Sequence, residues 1–545
     1  MLSIINSSNL VGIDSFLVKV EVDVSNGIPS FNIVGLPGKE IKEARERVKS
    51  AILNSGYKFP STRIVVNLSP ADIKKEGAFL DLSISIGLLR ELIKKDENYI
   101  RESMFIGELS LDGKIRKVRG ILPIIMGAKT QNIKRIFIPI ENIKESLFVD
   151  EIDIIPIKSL KECVDFLNEE IKVDKVRIMS FLDDKSRKEN EELEKDNSYI
   201  DCKYTKINNE ESKYDEDFKD VKGNYFVKRS AEIAAAGNHN MFMIGPPGSG
   251  KTMIAKRVRT ILPDISVEEM IEVSKVYSIL GMINETKGII DKRPFRAPHH
   301  TTTKQSLIGG GMDARPGEIA LAHRGILFLD EIAEFDRKIL ETLRQPIEDG
   351  YVNISRVKYS AKYPCRVLLV AAMNPCPCGY YMSETECRCR SNEIDRYINK
   401  ISGPLLDRFD IFVEVNSIKY SDFNSLKQEE SSQKIKRRVE NARKIQINRF
   451  KKDNIKNNSE IKAYNLFKYC KLEKEASKTA EMIFSKYNLS SRSYTKLLKM
   501  ARTIADLEER DLINSQCIIE AFSFRKAYYL SLIHISEPTR QEAIS

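Results

Sequence analysis

The sequence predicts a multidomain α/β protein, with two α/β units followed by a helical one. Three observations carry this reading. Short β-branched runs alternate with helically spaced stretches over residues 1–170 and again over 217–415. A glycine-rich turn, Gly245 to Gly250, stands directly between an apolar strand-like run and a helical stretch. From 416 to 530 the strand signal fades, and apolar residues recur at helical spacing.

A chain of 545 residues is too long for one ordinary core. Its apolar content of 42% and charged content of 30% are those of a globular protein in water. No apolar run is long enough to cross a bilayer. Met1 to Val11 has no basic head followed by a long apolar stretch, so a cleaved signal is not expected. The expected location is cytoplasmic, without a membrane partner. A net charge of +10 permits a polyanionic partner but does not require one, because solvated faces also carry lysine. Nine cysteines in such a chain point to thiols or a metal rather than disulfides.

In the front unit, Phe16 to Val24 reads as a strand with period-two apolar positions, and Gly38 to Ser55 as a helix of mixed charge. Arg63 to Leu68, Arg135 to Pro139 and Ile152 to Ile157 are further strands. The stretch 171–216 has linker composition; Asp183 to Asp196 is nearly all charged or polar. The second α/β unit follows over 217–415 and the helical unit over 416–530. Residues 531–545 fit neither neighbour, carry Pro538, and read as a non-native tail.

The chemistry begins at Gly245-Pro246-Pro247-Gly248-Ser249-Gly250-Lys251-Thr252, preceded by the apolar run Met241 to Ile244. Strand before and helix after is the setting in which this pattern binds phosphate. Backbone N–H groups of the turn point at an anion. Lys251 places positive charge on the β- and γ-phosphates, and the Thr252 hydroxyl ligates Mg²⁺. The plainer reading, a glycine-rich turn with a chance lysine, needs the rest of the pattern to match by accident. Ile326 to Leu329 is a buried-strand run ending on Asp330 and Glu331. There Asp330 would help hold the Mg²⁺ shell and Glu331 would polarise the attacking water. ATP and Mg²⁺ are the expected cofactors.

These parts resemble the AAA+ ATPases, and the resemblance assigns further residues. Val367 to Met373 is another buried-strand run; it ends on Asn374, at the position called sensor 1, which orients water beside the γ-phosphate. Gly403 to Asp410 places Arg408 where such proteins carry an arginine finger for a neighbouring subunit. A salt bridge to Asp407 or Asp410 is the plainer use of the same residue. A finger acting in trans implies a ring, and a hexamer is the usual AAA+ assembly. Leu489 to Lys496 opens a helix on capping serines. Arg492 there is the candidate for sensor 2, with Arg502 as its rival.

A more specific resemblance follows. Phe218 to Gly223 and Ala231 to Gly237 lead into the phosphate loop as in magnesium-chelatase-like AAA+ proteins. Phe295-Arg-Ala-Pro-His299-His300-Thr301, Gly309 to Gly311, Arg315 to Ile319 and Ala322-His323 match that group's long insertion before Asp330. Asn374-Pro-Cys-Pro-Cys-Gly379 matches its sensor 1 segment. With the front unit included, the chain resembles the ComM/YifB family over nearly all of residues 1 to 530. The resemblance implies a hexameric DNA motor, a branch migration helicase for recombination of incoming DNA in natural transformation. Its implied partners are branched or single-stranded DNA and further copies of the chain.

The front unit resembles the peptidase domain of Lon proteases. Lys75-Glu-Gly77-Ala-Phe-Leu-Asp81 is similar to the segment carrying the Lon serine, and Gly113 to Leu122 to the segment carrying its lysine. Here Asp81 lies near the serine position, Ser83 close by, and Leu122 at the lysine position. Without a base the serine is not activated, so the unit is expected to be scaffolding or a DNA-contacting surface.

Cys376, Cys378, Cys387 and Cys389 form two Cys-x-Cys pairs that fit a zinc-stapled hairpin or a set of reduced thiols. Three basic segments are candidate phosphate contacts: Lys292 to Lys304, which fits a subunit interface as well, Arg356 with Lys358 and Lys362 on an expected hairpin over Tyr351 to Arg366, and Lys434 to Lys456. The last fits a solvated helix face equally well. The rival functions are a chelatase-like or protein-remodelling AAA+ ATPase, a Lon-type protease, and a nucleotide-dependent interaction protein with little motor activity.

Overall fold

The computed structural model describes residues 2–173, 214–284, 287–311, 313–355, 360–381, 383–417, 429–453 and 455–536, with side chains as far as 525. Most of the expected linker therefore lies outside the described residues, as do 537–545, Arg356 and Lys358.

The front unit is built on a seven-stranded mixed sheet. Its order is Ser30–Val34, Arg63–Ser69, Asp14–Ser25, Leu2–Val11, Ser103–Phe105, Arg135–Pro139, Asp153–Ile157. The strands anticipated from period-two patterning are present, and the expected first helix spans Lys39–Asn54. Leu2–Val11 was not anticipated, because five of its residues are polar and buried: Ser3, Asn6, Ser7, Ser8 and Asn9. Such a strand is tolerated inside a sheet only when those groups find partners. Asn6 Nδ2 donates to Arg101 O at 2.6 Å, Ser7 Oγ to Phe105 O at 3.0 Å, and Asn9 Nδ2 to Lys74 O at 3.2 Å.

The second sheet has five strands, all parallel: Phe295–Arg296, Ile326–Leu329, Leu368–Met373, Met241–Ile244, Ile411–Glu414. Counted along the chain the order is 2-3-4-1-5. Parallel sheets are covered on both faces, which is why these strands read as unbroken apolar runs. Alternate residues serve different cores. Met241, Met243, Phe328 and Val370 pack with the C-terminal helices, whereas Phe242, Leu327, Leu329 and Leu369 belong to a core continuous with the front unit. The two α/β units also meet directly: Gly120 N–H donates to Ser278 O at 2.9 Å, and Ser278 Oγ to the buried Glu145 carboxylate at 2.8 Å.

The C-terminal part is helical, with its main helices at Ser432–Phe450, Lys474–Lys486, Ser491–Leu507 and Ser515–Ser536. The last helix runs six residues past the boundary expected at 530. Ser432–Phe450 buries Ile435, Val439, Ala442 and Phe450 and packs against the helices Tyr225–Gly237, Lys251–Ile261 and Ser491–Leu507. Four of its basic residues are tied within the chain. Arg438 pairs with Glu232 and Glu430, Lys436 pairs with Asp264, and Arg443 donates to Ala235 O. Arg449 binds the buried Asp506 carboxylate, which also holds Arg502. Lys434, Arg437, Lys444, Lys451 and Lys452 stay exposed, so the segment Lys434 to Lys456 keeps both of its readings, a solvated face and a DNA contact.

Candidate functional site

Because the five strands are parallel, the loops after Ile244, Leu329 and Met373 emerge at one edge, where ligands bind in open α/β sheets. After Ile244 the chain turns through Gly245 to Gly250 into the helix Lys251–Ile261. The glycines are needed for two different reasons. Gly248 and Gly250 have φ of +76° and +89°, where a side chain is strained. At Gly245 an added Cβ would lie 2.2 Å from Val415 O. Gly250 precedes the helix, so its first N–H groups face the turn as an anion site.

Lys251 is nearly buried, and burial holds its pKa below the ordinary lysine value against the pull of Asp330 and Glu331. Its Nζ donates to Gly245 O at 2.7 Å, Pro246 O at 2.9 Å and Asn374 Oδ1 at 3.1 Å. The lysine and Asn374, which follows the Leu368–Met373 strand, therefore meet. Thr252 Oγ1 donates to Asp330 Oδ2 at 2.6 Å, which brings two hard oxygen donors together where Mg²⁺ would bind. Ser249 Oγ is buried and has no hydrogen-bond partner. A donor ready for an oxyanion, a caged cation and a hydroxyl–carboxylate pair fit a nucleoside triphosphate with Mg²⁺.

Glu331 sits at the strand end with φ +48°, a left-handed conformation uncommon for a glutamate and frequent at functional sites. His300 Nδ1 lies 3.7 Å from its Oε2, and the His299 ring packs on His300 at 4.0 Å between centroids. This contact was missed in the sequence, where His299-His300 reads as part of a basic loop. The segment's arginines are also internally used. Arg296 makes two bonds to Glu318, at 2.6 and 2.7 Å. Arg293 binds Glu269 at 2.9 Å and the Pro263 and Arg324 carbonyls. Arg293 and Arg296 are thus engaged within the chain, which leaves Lys292 and Lys304 to carry the reading of this loop as touching nucleic acid or a subunit interface. Lys362, on the expected hairpin (Tyr351–Ser355 with Ser360–Pro364), lies 3.8 Å from the Tyr351 ring centroid.

Arg408 is mostly buried and paired with Glu348 rather than with Asp407 or Asp410. Asp410 instead binds Lys496 at 3.2 Å. Arg492 Nε is 2.7 Å from Asp407, and its Nη2 is 3.8 Å from Glu348, so the two arginines share one acidic cluster. Its rival Arg502 is buried on Asp506 and the carbonyl of Asp511, a structural position. Glu348 is a second residue the sequence did not single out; only folding brings it to Arg408. In the front unit, Ser83 is buried with Oγ donating to Leu80 O at 2.8 Å, and Leu122 is fully buried. Asp81 is held by Arg47 at 2.8 and 3.1 Å; burial pushes its pKa up to about 6 although the guanidinium pulls the other way. Cys376, Cys378, Cys387 and Cys389 converge, with all four Sγ atoms within 4.8 Å of one another.

Comparison with known proteins agrees with this geometry. A family model for the magnesium chelatase subunit ChlI matches residues 217–423, and one for its C-terminal part matches 429–525. A further model described as subunit ChlI of Mg-chelatase matches 20–142. The chain is 38% identical to the competence protein ComM of Haemophilus influenzae, covering 96% of this chain and 97% of that one. It is also 38% identical to YifB of Escherichia coli, covering 98% and 99%. The chain belongs to the ComM/YifB family. The magnesium-chelatase subunit ChlI of Porphyra purpurea is more distant, at 23% identity over 38% of this chain and 59% of its own. As a magnesium-chelatase-like AAA+ protein, a ComM/YifB member is expected to work with ATP and Mg²⁺. No helix among the described residues is long and apolar enough to cross a membrane.

Proposed function

We propose that the protein is a ring-forming AAA+ ATPase that converts ATP hydrolysis into movement on DNA. In this reading it is a hexameric branch migration helicase acting in recombination during natural transformation. The observation that carries the ATPase is the meeting of Lys251, Thr252, Asp330 and Asn374 at one sheet edge beside Glu331. Similarity to a competence protein over almost the whole chain supports the DNA role.

Lys251 exchanges its loop carbonyls for the β- and γ-phosphates, and the N–H groups of 245–250 hold the remaining oxygens. Thr252 and Asp330 would hold Mg²⁺, which would supply charge neutralisation at the phosphates. Glu331 accepts a proton from the attacking water and Asn374 orients that water. Arg408 stabilises the transition state in the neighbouring subunit's site after leaving Glu348, and Arg492 reports nucleotide from the helical lid, 416–530. Residues 1–170 act as a Lon-protease-like scaffold: buried Ser83, with leucine at 122, lacks the base a nucleophile needs. The second reading is a chelatase-like or protein-remodelling ATPase without DNA translocation, favoured by three family models bearing the chelatase name.

ATPase rate with and without a synthetic four-way junction separates the two. Stimulation by the junction, with ATP-dependent movement of its crossover, is expected. An ATPase indifferent to every DNA, unable to move a junction, would transfer the assignment to the protein-remodelling reading.

A further inference from the structure

Between the strand ending at Met373 and the helix Ser391–Ile398, the chain forms no helix or strand among its described residues. It has almost no core of its own. Of its four cysteines, only Cys376 is fully buried. Yet the Sγ atoms of Cys376 and Cys378 are 3.3 Å apart, those of Cys376 and Cys387 3.7 Å, and those of Cys378 and Cys387 3.6 Å. These separations are far too long for a disulfide, whose sulfurs lie about 2.05 Å apart. They match the edges of a tetrahedron: zinc–sulfur bonds of about 2.3 Å place neighbouring sulfurs about 3.8 Å apart. Sulfurs this close converge on a single ion and leave no room for an iron–sulfur cluster. The Tyr381 N–H donates to Cys376 Sγ at 3.3 Å, the kind of amide contact that orients a thiolate ligand.

The same loop lies on the phosphate loop. Gly379, with φ +88°, packs so tightly that an added Cβ would stand 2.6 Å from Pro247 Cγ and Cδ. Asn374, which accepts from Lys251, is two residues before Cys376. We propose that Cys376, Cys378, Cys387 and Cys389 hold one zinc ion, and that the loop it closes positions Pro247 and Asn374 around the nucleotide. The positioning role rests on the ATPase reading; the metal site does not. Zinc is favoured because a four-thiolate tetrahedral donor set suits it, and it binds such sites more tightly than iron(II) in the divalent series.

The test uses the full chain purified without chelators. Elemental analysis should find one zinc per chain, and zinc-edge X-ray absorption should give a four-sulfur shell at about 2.3 Å. The Cys387→Ser/Cys389→Ser variant should lose the metal. Cobalt(II) added to demetallated wild type should give the visible bands of a tetrahedral thiolate site. Iron in place of zinc, or no stoichiometric metal, overturns the site. Removing zinc with a thiol-specific mercurial, then regenerating the thiols, should weaken nucleotide binding or turnover by about 10- to 100-fold, with recovery on adding zinc but not Mg²⁺. Unchanged binding and turnover in zinc-free, folded protein overturns the positioning role. Zinc-replete wild type that hydrolyses no ATP refutes the ATPase reading and the positioning role, leaving the metal site in place.

Discussion

Removing the carboxylate of Glu348 should raise ATP turnover rather than lower it. Arg408 is paired with Glu348 in the single chain, and a finger that serves a neighbouring site must first leave that pair. Glu348 is 54% exposed, so solvent screening limits the pair to about 0.5–1 kcal/mol. That corresponds to about a two- to fivefold change in the population of released Arg408. Arg408 Nε is buried without a partner, so the guanidinium keeps an unmet demand for an acceptor when Glu348 is removed. Glu348→Ala is therefore expected to increase kcat by up to about fivefold where release limits the rate, with a smaller gain at high salt. Arg408→Ala should instead reduce kcat by about 10³-fold. The assay is steady-state phosphate release at saturating ATP and Mg²⁺, with the oligomeric state checked by sedimentation. If Glu348→Ala is as inactive as Arg408→Ala while assembly is intact, the carboxylate is part of the working site and the restraint argument fails.

Lys251→Ala should abolish nucleotide binding, whereas Glu331→Gln should bind ATP and fail to cleave it; mixing Arg408→Ala with Glu331→Gln subunits should restore turnover, read as phosphate release. Normal hydrolysis by Arg408→Ala alone would show that the finger is elsewhere. Arg296→Ala should lower stability by about 1–3 kcal/mol through loss of its paired bonds to Glu318, measured as a shift in urea midpoint. Replacing Arg356 and Lys358 by Ala should instead weaken DNA binding and flatten its salt dependence by about one log–log unit per lost phosphate contact, with basal ATPase retained. The protein should show no ATP-dependent casein cleavage; degradation that disappears in Ser83→Ala would revive the protease reading.

The phosphate loop was legible because its chemistry is local. Consecutive N–H groups, glycines at positive φ and a lysine one helical step away must be contiguous in sequence to form the cradle at all. The same holds for the apolar runs ending in Asp330–Glu331 and Asn374: strands buried on both faces announce themselves by composition. Strand Leu2–Val11 escaped notice because its polar side chains are satisfied by carbonyls as distant along the chain as Arg101 and Phe105. A pattern of hydrophobicity cannot register such partners.

The sequence by itself determined the family, the α/β class and the residues at the ends of the sheet strands. Tertiary structure decided which charges are free to act. Arg293, Arg296, Arg438 and Arg449 look like available cations in sequence, but each has its acid supplied by another segment. Folding likewise set His300 beside Glu331, seated Arg408 on Glu348, and gathered four thiols from the two ends of a loop onto one point. The physical reason is common to all of them. A charge or ligand is defined by what lies within a few ångströms of it, and long-range packing rather than sequence neighbourhood chooses those groups.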